Sequence, residues 1–215
     1  MASLPSGILY FVASTFGASK TTTVVTNASE AVVTSVAHGF SNGDYVYITS
    51  GWGRLNGRSA RIKGITTDTF TLEGIDTSDT TVYTAGSGIG SVKKVTAWTE
   101  ITKPVSPQSS GGDPVKVDYQ YANDDVRRST NDGFNATEFS MGIDSDSFGG
   151  ADYTVLKSLT DSQADTVLRL RFKNGAVLLF PCTLALNEMP SFQSGQIMTC
   201  PLQFSGTGRP VRYAA

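Results

Sequence analysis

A chain of 215 residues, 39% hydrophobic and 17% charged, can bury a real core and is no disordered polyelectrolyte. Its net charge of −2 argues against a nucleic-acid reader, which carries a concentrated basic excess. No apolar run reaches the roughly 18 residues of a membrane-spanning helix, and Met1 to Gly7 lacks the pattern of a secretory signal, so assembly in a cytoplasm is expected.

In chain order, Gly7 to Phe16 reads as a strand from its aromatic and β-branched content. Residues 31–72 read as a small all-β unit with its own turns. The runs Ala31–Thr34, Asp44–Ile48, Arg58–Ile62 and Thr69–Leu72 are separated by Asn42-Gly43, Asn56-Gly57 and other glycine punctuation. Thr21–Thr23 before it and Gly86–Gly90 after it make residues 21–95 an insertion into a host that resumes with the strand Val95–Ile101. The host is then discontinuous, residues 1–20 and 96–215.

Lys103 to Gly112 is a Pro/Ser/Gly stretch that cannot join a central sheet. Pro114 to Tyr121 alternates strictly: Val115, Val117, Tyr119 and Tyr121 share one face, and Lys116, Asp118 and Gln120 the other. Residues 122–136 read as a long polar loop, of the kind that is functional when it interrupts a compact domain. Thr137 to Ile143 alternates again, with Phe139, Met141 and Ile143 inward. The one good helix candidate covers 150–160, with Asp152 in its first turn and Val155, Leu156 and Leu159 as its apolar stripe. Strands follow at Thr166–Phe172, Val177–Asn187 and Gln196–Phe204, the first two joined by a Lys173-Asn-Gly175 turn. The tail from Gly206 looks like an extended arm.

Reaction chemistry is hard to place on this chain. The sole histidine, His38, sits in a turn entry, and no nucleophile elbow occurs. Lys20 follows an incomplete phosphate-loop fragment. Asp144 and Asp146 form part of a calcium pattern without its third acid or distal glutamate, and are the weak candidates for a hydrolase pair. Cys182 and Cys200 match no zinc spacing and are expected to be free, buried thiols. No enzyme and no cofactor are expected.

Two resemblances give the pattern a meaning. Ala37-His-Gly-Phe-Ser-Asn-Gly-Asp-Tyr-Val-Tyr-Ile48, Leu55-Asn-Gly-Arg58 and Thr69-Phe-Thr-Leu-Glu-Gly-Ile-Asp76 resemble a module of bacteriophage structural proteins related to the FCCH domain of ubiquitin-activating enzymes. The host is similar, in its order of elements, to the major tail tube proteins of long non-contractile phage tails. That resemblance implies a mainly β protein: a β-sandwich or partial barrel with one flanking helix, plus the small nested β domain on the outside. It further implies stacked, hexameric rings forming a conduit for DNA ejection, in a virion tail assembled in the host cytoplasm. Implied partners are other copies of the chain, the tail terminator, tape measure and tail tip proteins, and genomic DNA that passes without specific binding; no membrane is involved. A capsid decoration protein or host-surface adhesin is the alternative reading.

Contacts between subunits or rings are then expected from the long loop and tail: Asn123, Asp124, Asp125, Arg127, Arg128, Asp132, Phe134, Arg209, Arg212 and Tyr213. Candidates for the lumen face are Lys116, Asp118, Gln120, Glu138, Ser140, Arg169 and Arg171. A conduit must not hold DNA, since basic walls gain affinity at every phosphate. Arg169 and Arg171 would place positive rings in an otherwise mixed wall.

Overall fold

Val, Thr and aromatic residues extend the chain at its start, and β1 spans Leu9–Phe16 in a computed structural model that describes residues 7–192 and 194–215. Next come β2 (Lys20–Thr22), β3 (Val24–Val25), β4 (Val32–Thr34), β5 (Tyr45–Ser50), β6 (Arg58–Lys63), β7 (Thr69–Leu72) and the long β8 (Gly90–Glu100). They are followed by β9 (Pro104–Ser110), β10 (Pro114–Tyr119), β11 (Arg128–Phe134), β12 (Glu138–Asp144), α1 (Ala151–Ser162), β13 (Thr166–Arg171), β14 (Val177–Leu186), β15 (Thr199–Gly206) and β16 (Val211–Tyr213). The protein is mainly β, as its composition and alternation predict. One large antiparallel sheet runs β3-β4-β7-β6-β5-β8-β1-β13-β14-β15-β12-β9, with β2 beside β8 and β16 beside β14; β10 and β11 form a separate two-stranded sheet.

The host part of this sheet is rolled. Tyr10 on β1 and Phe139 on β12 are four strand steps apart, about 19 Å in a flat sheet at ~4.8 Å per step. Their rings nevertheless stack with centroids 5.9 Å apart. The concave face is the main core, where Val12, Leu168, Phe180, Leu184, Leu202, Phe204, Met141 and Ile143 meet. Phe139, Met141 and Ile143 point inward as their spacing predicts.

Helix α1 closes the concave side with Tyr153 and Leu156, while Val155 and Leu159 pack at its margin. Gly150 at its N-cap offers no side-chain bond. The first turn is anchored instead by Asp152, whose Oδ2 accepts from the Thr102 amide at 3.0 Å and the Thr102 hydroxyl at 2.5 Å. Burial pushes this carboxyl up, but the Thr102 bonds and nearby amides outweigh it, and the net shift is downward from 3.8. The stabilisation is therefore complete above the ordinary carboxylate pKa and is lost as pH falls through the lowered native value. Asp152→Ala, which strands the Thr102 donors, is expected to cost about 1–3 kcal/mol in urea unfolding at neutral pH, with the gap between parent and variant closing in acid.

The segment expected to be an insertion, residues 21–95, holds a second core of Val33, Val46, Ile48, Trp52, Leu55, Ala60, Ile62, Phe70, Leu72 and Ile75. Its strands fall where the sequence predicts, and the Asn56-Gly57 turn takes a left-handed glycine (φ 72°). β8 runs through both parts: Ser91–Lys94 pair with β5, and Val95–Glu100 with β1.

Two expectations are corrected. The polar loop 122–136 contains β11, paired with β10 from Pro114↔Phe134 to Tyr119↔Arg128. Both faces of this hairpin meet solvent, so no hydrophobic alternation marked its second strand. The tail is no free arm either: Val211–Tyr213 pair with Val177–Leu179 of β14, and Val211 and Tyr213 are buried. Residues 104–110 do form a strand, but at the edge of the sheet, where Pro104 and Pro107 leave no ladder unfilled.

Candidate assembly interface

Every residue of β10 is exposed, and in β11 Gly133 alone is half-covered. The hairpin leaves the body between Asp113 and Asn135, whose backbones bond at 2.9 Å, and carries Val115, Val117 and Tyr119 on one face. Val117 is 46% exposed and Phe134 60%. A lone two-stranded ribbon is marginal in water, and an apolar stripe along it costs solubility unless something covers it. The arm presents that stripe to solvent along its length.

The expected contact residues separate by position. Asn123, Asp124, Asp125 and Arg127 lie in the turn at the arm's tip, where Asp124 pairs with Arg128 at 2.7 Å, and the Arg128 guanidinium also sits 5.5 Å from the Tyr121 ring. Asp132 lies at a bulge in β11, and Phe134 at the root. There Phe134 meets the tail: the Arg209 guanidinium lies 5.0 Å from its ring. Arg212 lies over Phe172 at 4.9 Å. Tyr213 is occupied inside the chain, its hydroxyl accepting from the Arg61 amide at 2.8 Å and donating to the Glu73 carbonyl at 3.3 Å. Burial raises this phenol to about 12.

The expected lumen residues fall into two sets. Lys116, Asp118 and Gln120 belong to the arm. Glu138, Ser140, Arg169 and Arg171 share one face of the rolled sheet, because Ser140 pairs with Gln203, Gln203 with Ala185, Leu179 with Arg169 and Val177 with Arg171. On β9, β12 and β15 this convex face is polar, with Gln108, Ser110, Ser140, Gln203 and Ser205, and carries two carboxylates, Glu138 and, at the end of β12, Asp144. Farther along, the insertion covers it. Arg169 is half-buried between Trp98 (4.3 Å), Phe11 (4.5 Å) and Tyr45 (5.6 Å), its Nε unpartnered, and burial lowers its pKa. Arg171 is exposed.

Sequence reasoning missed a second apolar surface. Phe148, Met189, Phe192, Ile197 and Met198 are exposed in the segments before α1 and between β14 and β15, Phe192 by 73%. Ile197 and Met198 are expected in the strand Gln196–Phe204, but β15 starts at Thr199 and leaves both outside it; the other three sit in segments with no period to mark them as surface.

The remaining candidates are structural. His38 is buried against Phe40 and Phe70, and its Nδ1 accepts from the Phe40 amide at 3.0 Å. Asp144 caps a short turn through the Asp146 amide, and no group of metal-ligating side chains occurs among the described residues. Both cysteines are free and buried, and desolvation pushes the Cys182 thiol up to about 12.

Comparison with known proteins agrees with that geometry. No curated protein matches the chain. A family model described as "Phage tail tube protein, TTP" matches residues 50–215, a span that takes in every strand of the rolled sheet after β1, the arm and the tail. With well over half of its length matched, the chain belongs to the phage tail tube protein family.

Proposed function

We propose that this structural tail protein is the repeating subunit of a long non-contractile tail tube, in which copies form stacked, sixfold closed rings around a DNA conduit. The single observation that carries this reading is the exposed β10–β11 arm, which a neighbouring copy would cover. The rolled sheet supports it, being open at β9 and so unfinished within one chain. In this reading the hydroxyl- and amide-rich face of β9, β12 and β15 lines the conduit, since it offers phosphates almost no counter-charge. Residues 1–20 and 96–215 are the tube domain, and the insertion at 21–95, an FCCH-like module, lies outside. Terminator, tape measure and tip proteins would bound the tube, with assembly in the host cytoplasm.

Negative-stain microscopy of the purified chain at rising concentration is the direct test. Rings or tubes of uniform diameter are expected. A monodisperse monomer at high concentration overturns the proposal.

A further inference from the structure

Three arginines meet where the insertion, the root of the arm and the tail come together. Arg54 and Arg209 line an open cleft of about 630 Å³ beside Phe134. Both also line an adjoining cleft of about 270 Å³, together with Arg58 and Tyr83. None of the three forms an ion pair among the described residues. Arg58 is half-buried, and its Nε is enclosed without a hydrogen-bond partner. Asp79 is the carboxylate whose field reaches Arg54, and its Oδ1 already accepts from the Thr81 amide and hydroxyl. The floor of the notch is fixed. Gly208 lies so close to Gly57 that a Cβ there would come within 2.6 Å of the Gly57 carbonyl oxygen. A rigid notch with three cations and no bound counter-charge is built for an anion.

We propose that this notch receives the Asp125 carboxylate at the arm tip of a second copy, an inference that rests on the tube-subunit reading above. Three observations favour this occupant. Between residues 113 and 134, five aspartates stand against three basic residues, so the arm is acidic and the notch basic. At the tip Asp124 is held by Arg128, whereas Asp125 is exposed and in no ion pair. The arm's own tip cannot fill the notch, because eight extended residues carry it about 25 Å from the root. A tip-to-root contact is also heterologous, so it can repeat from copy to copy, either around a ring or from one ring to the next. The arm's apolar stripe would supply the area, and the Asp125 contact the register.

The test is a charge exchange on the full-length chain, read as the concentration at which tubes appear by sedimentation and microscopy at low ionic strength. Arg54→Glu with Arg209→Glu is expected to raise that concentration at least about tenfold, and Asp125→Arg to do the same. The triple variant, which reverses both sides, is expected to return to within about threefold of the parent. All three positions are exposed, and unchanged melting curves show that the variants fold; Arg209→Gln alone, with a smaller rise expected, serves if a reversal does not. A double variant that assembles like the parent, or a triple variant no better than the double, overturns the pairing and leaves the tube reading standing. An unmodified chain that never associates overturns both.

Discussion

Replacing residues 114–134 with a short Gly-Ser turn is expected to abolish tube formation while shifting the melting temperature by less than about 5 °C. The geometry permits the deletion. Asn135 donates to the Asp113 carbonyl at 2.9 Å and Gly112 to the Asn135 carbonyl at 3.2 Å, so the two ends of the cut already touch. No residue of β10 or β11 enters an apolar core. Folding therefore loses little, and the remaining loop is shorter to close. Association, by contrast, loses the stripe of Val115, Val117 and Tyr119. Each side chain of this kind is worth about 1.5–3 kcal/mol when fully covered, so even partial burial, repeated over every copy in a ring, decides whether a tube forms. Tubes assembled by the deleted chain would remove the arm from the mechanism.

Excising the insertion has the opposite outcome. Here too the ends meet, because Thr22 and Gly90 are register partners, and a short turn can replace residues 23–89. The host left behind is nonetheless expected to melt at least about 10 °C lower or to collect in the insoluble fraction. Tyr45 and Tyr47 pack on Ala13, Val95, Val167, Val177 and Leu179, and the Tyr47 hydroxyl bonds Asp165 at 3.0 Å. Without the insertion that apolar face is bare, Arg169 loses one of its three rings, and the Tyr213 hydroxyl loses both its partners. Burial of two aromatic side chains alone is worth roughly 4 kcal/mol. Thermal melting of the soluble fraction decides it, and a host that melts like the parent would make the insertion a detachable ornament.

What the sequence made legible follows from where its side chains are buried on one face. Phe139, Met141 and Ile143, or Val46 and Ile48, announce their strands because one side meets a core and the other water. β11 gives no such sign: Arg128, Ser129, Thr130 and Asn131 are polar on both faces, and only the ladder to β10 makes them a strand. β16 is three residues long, and its Val211 and Tyr213 find their setting through β14 and the insertion. The notch was beyond reach for a different reason. Arg54, Arg58 and Arg209 are separated by up to 155 positions and are gathered by the tertiary fold alone. The acidic tip is legible in the sequence as a run of adjacent charges, whereas the three arginines are not legible as a group.

The border strand β9 has a consequence for life before the tube. Pro104 and Pro107 withhold amide hydrogens from that rim, and Ser106 is turned into a left-handed conformation (φ 48°) between them. Stray β-peptides, and misaligned siblings, find a broken template there. A neighbouring strand therefore meets fewer donors along that rim than an ordinary edge offers, and only a register that tolerates the gaps can pair there.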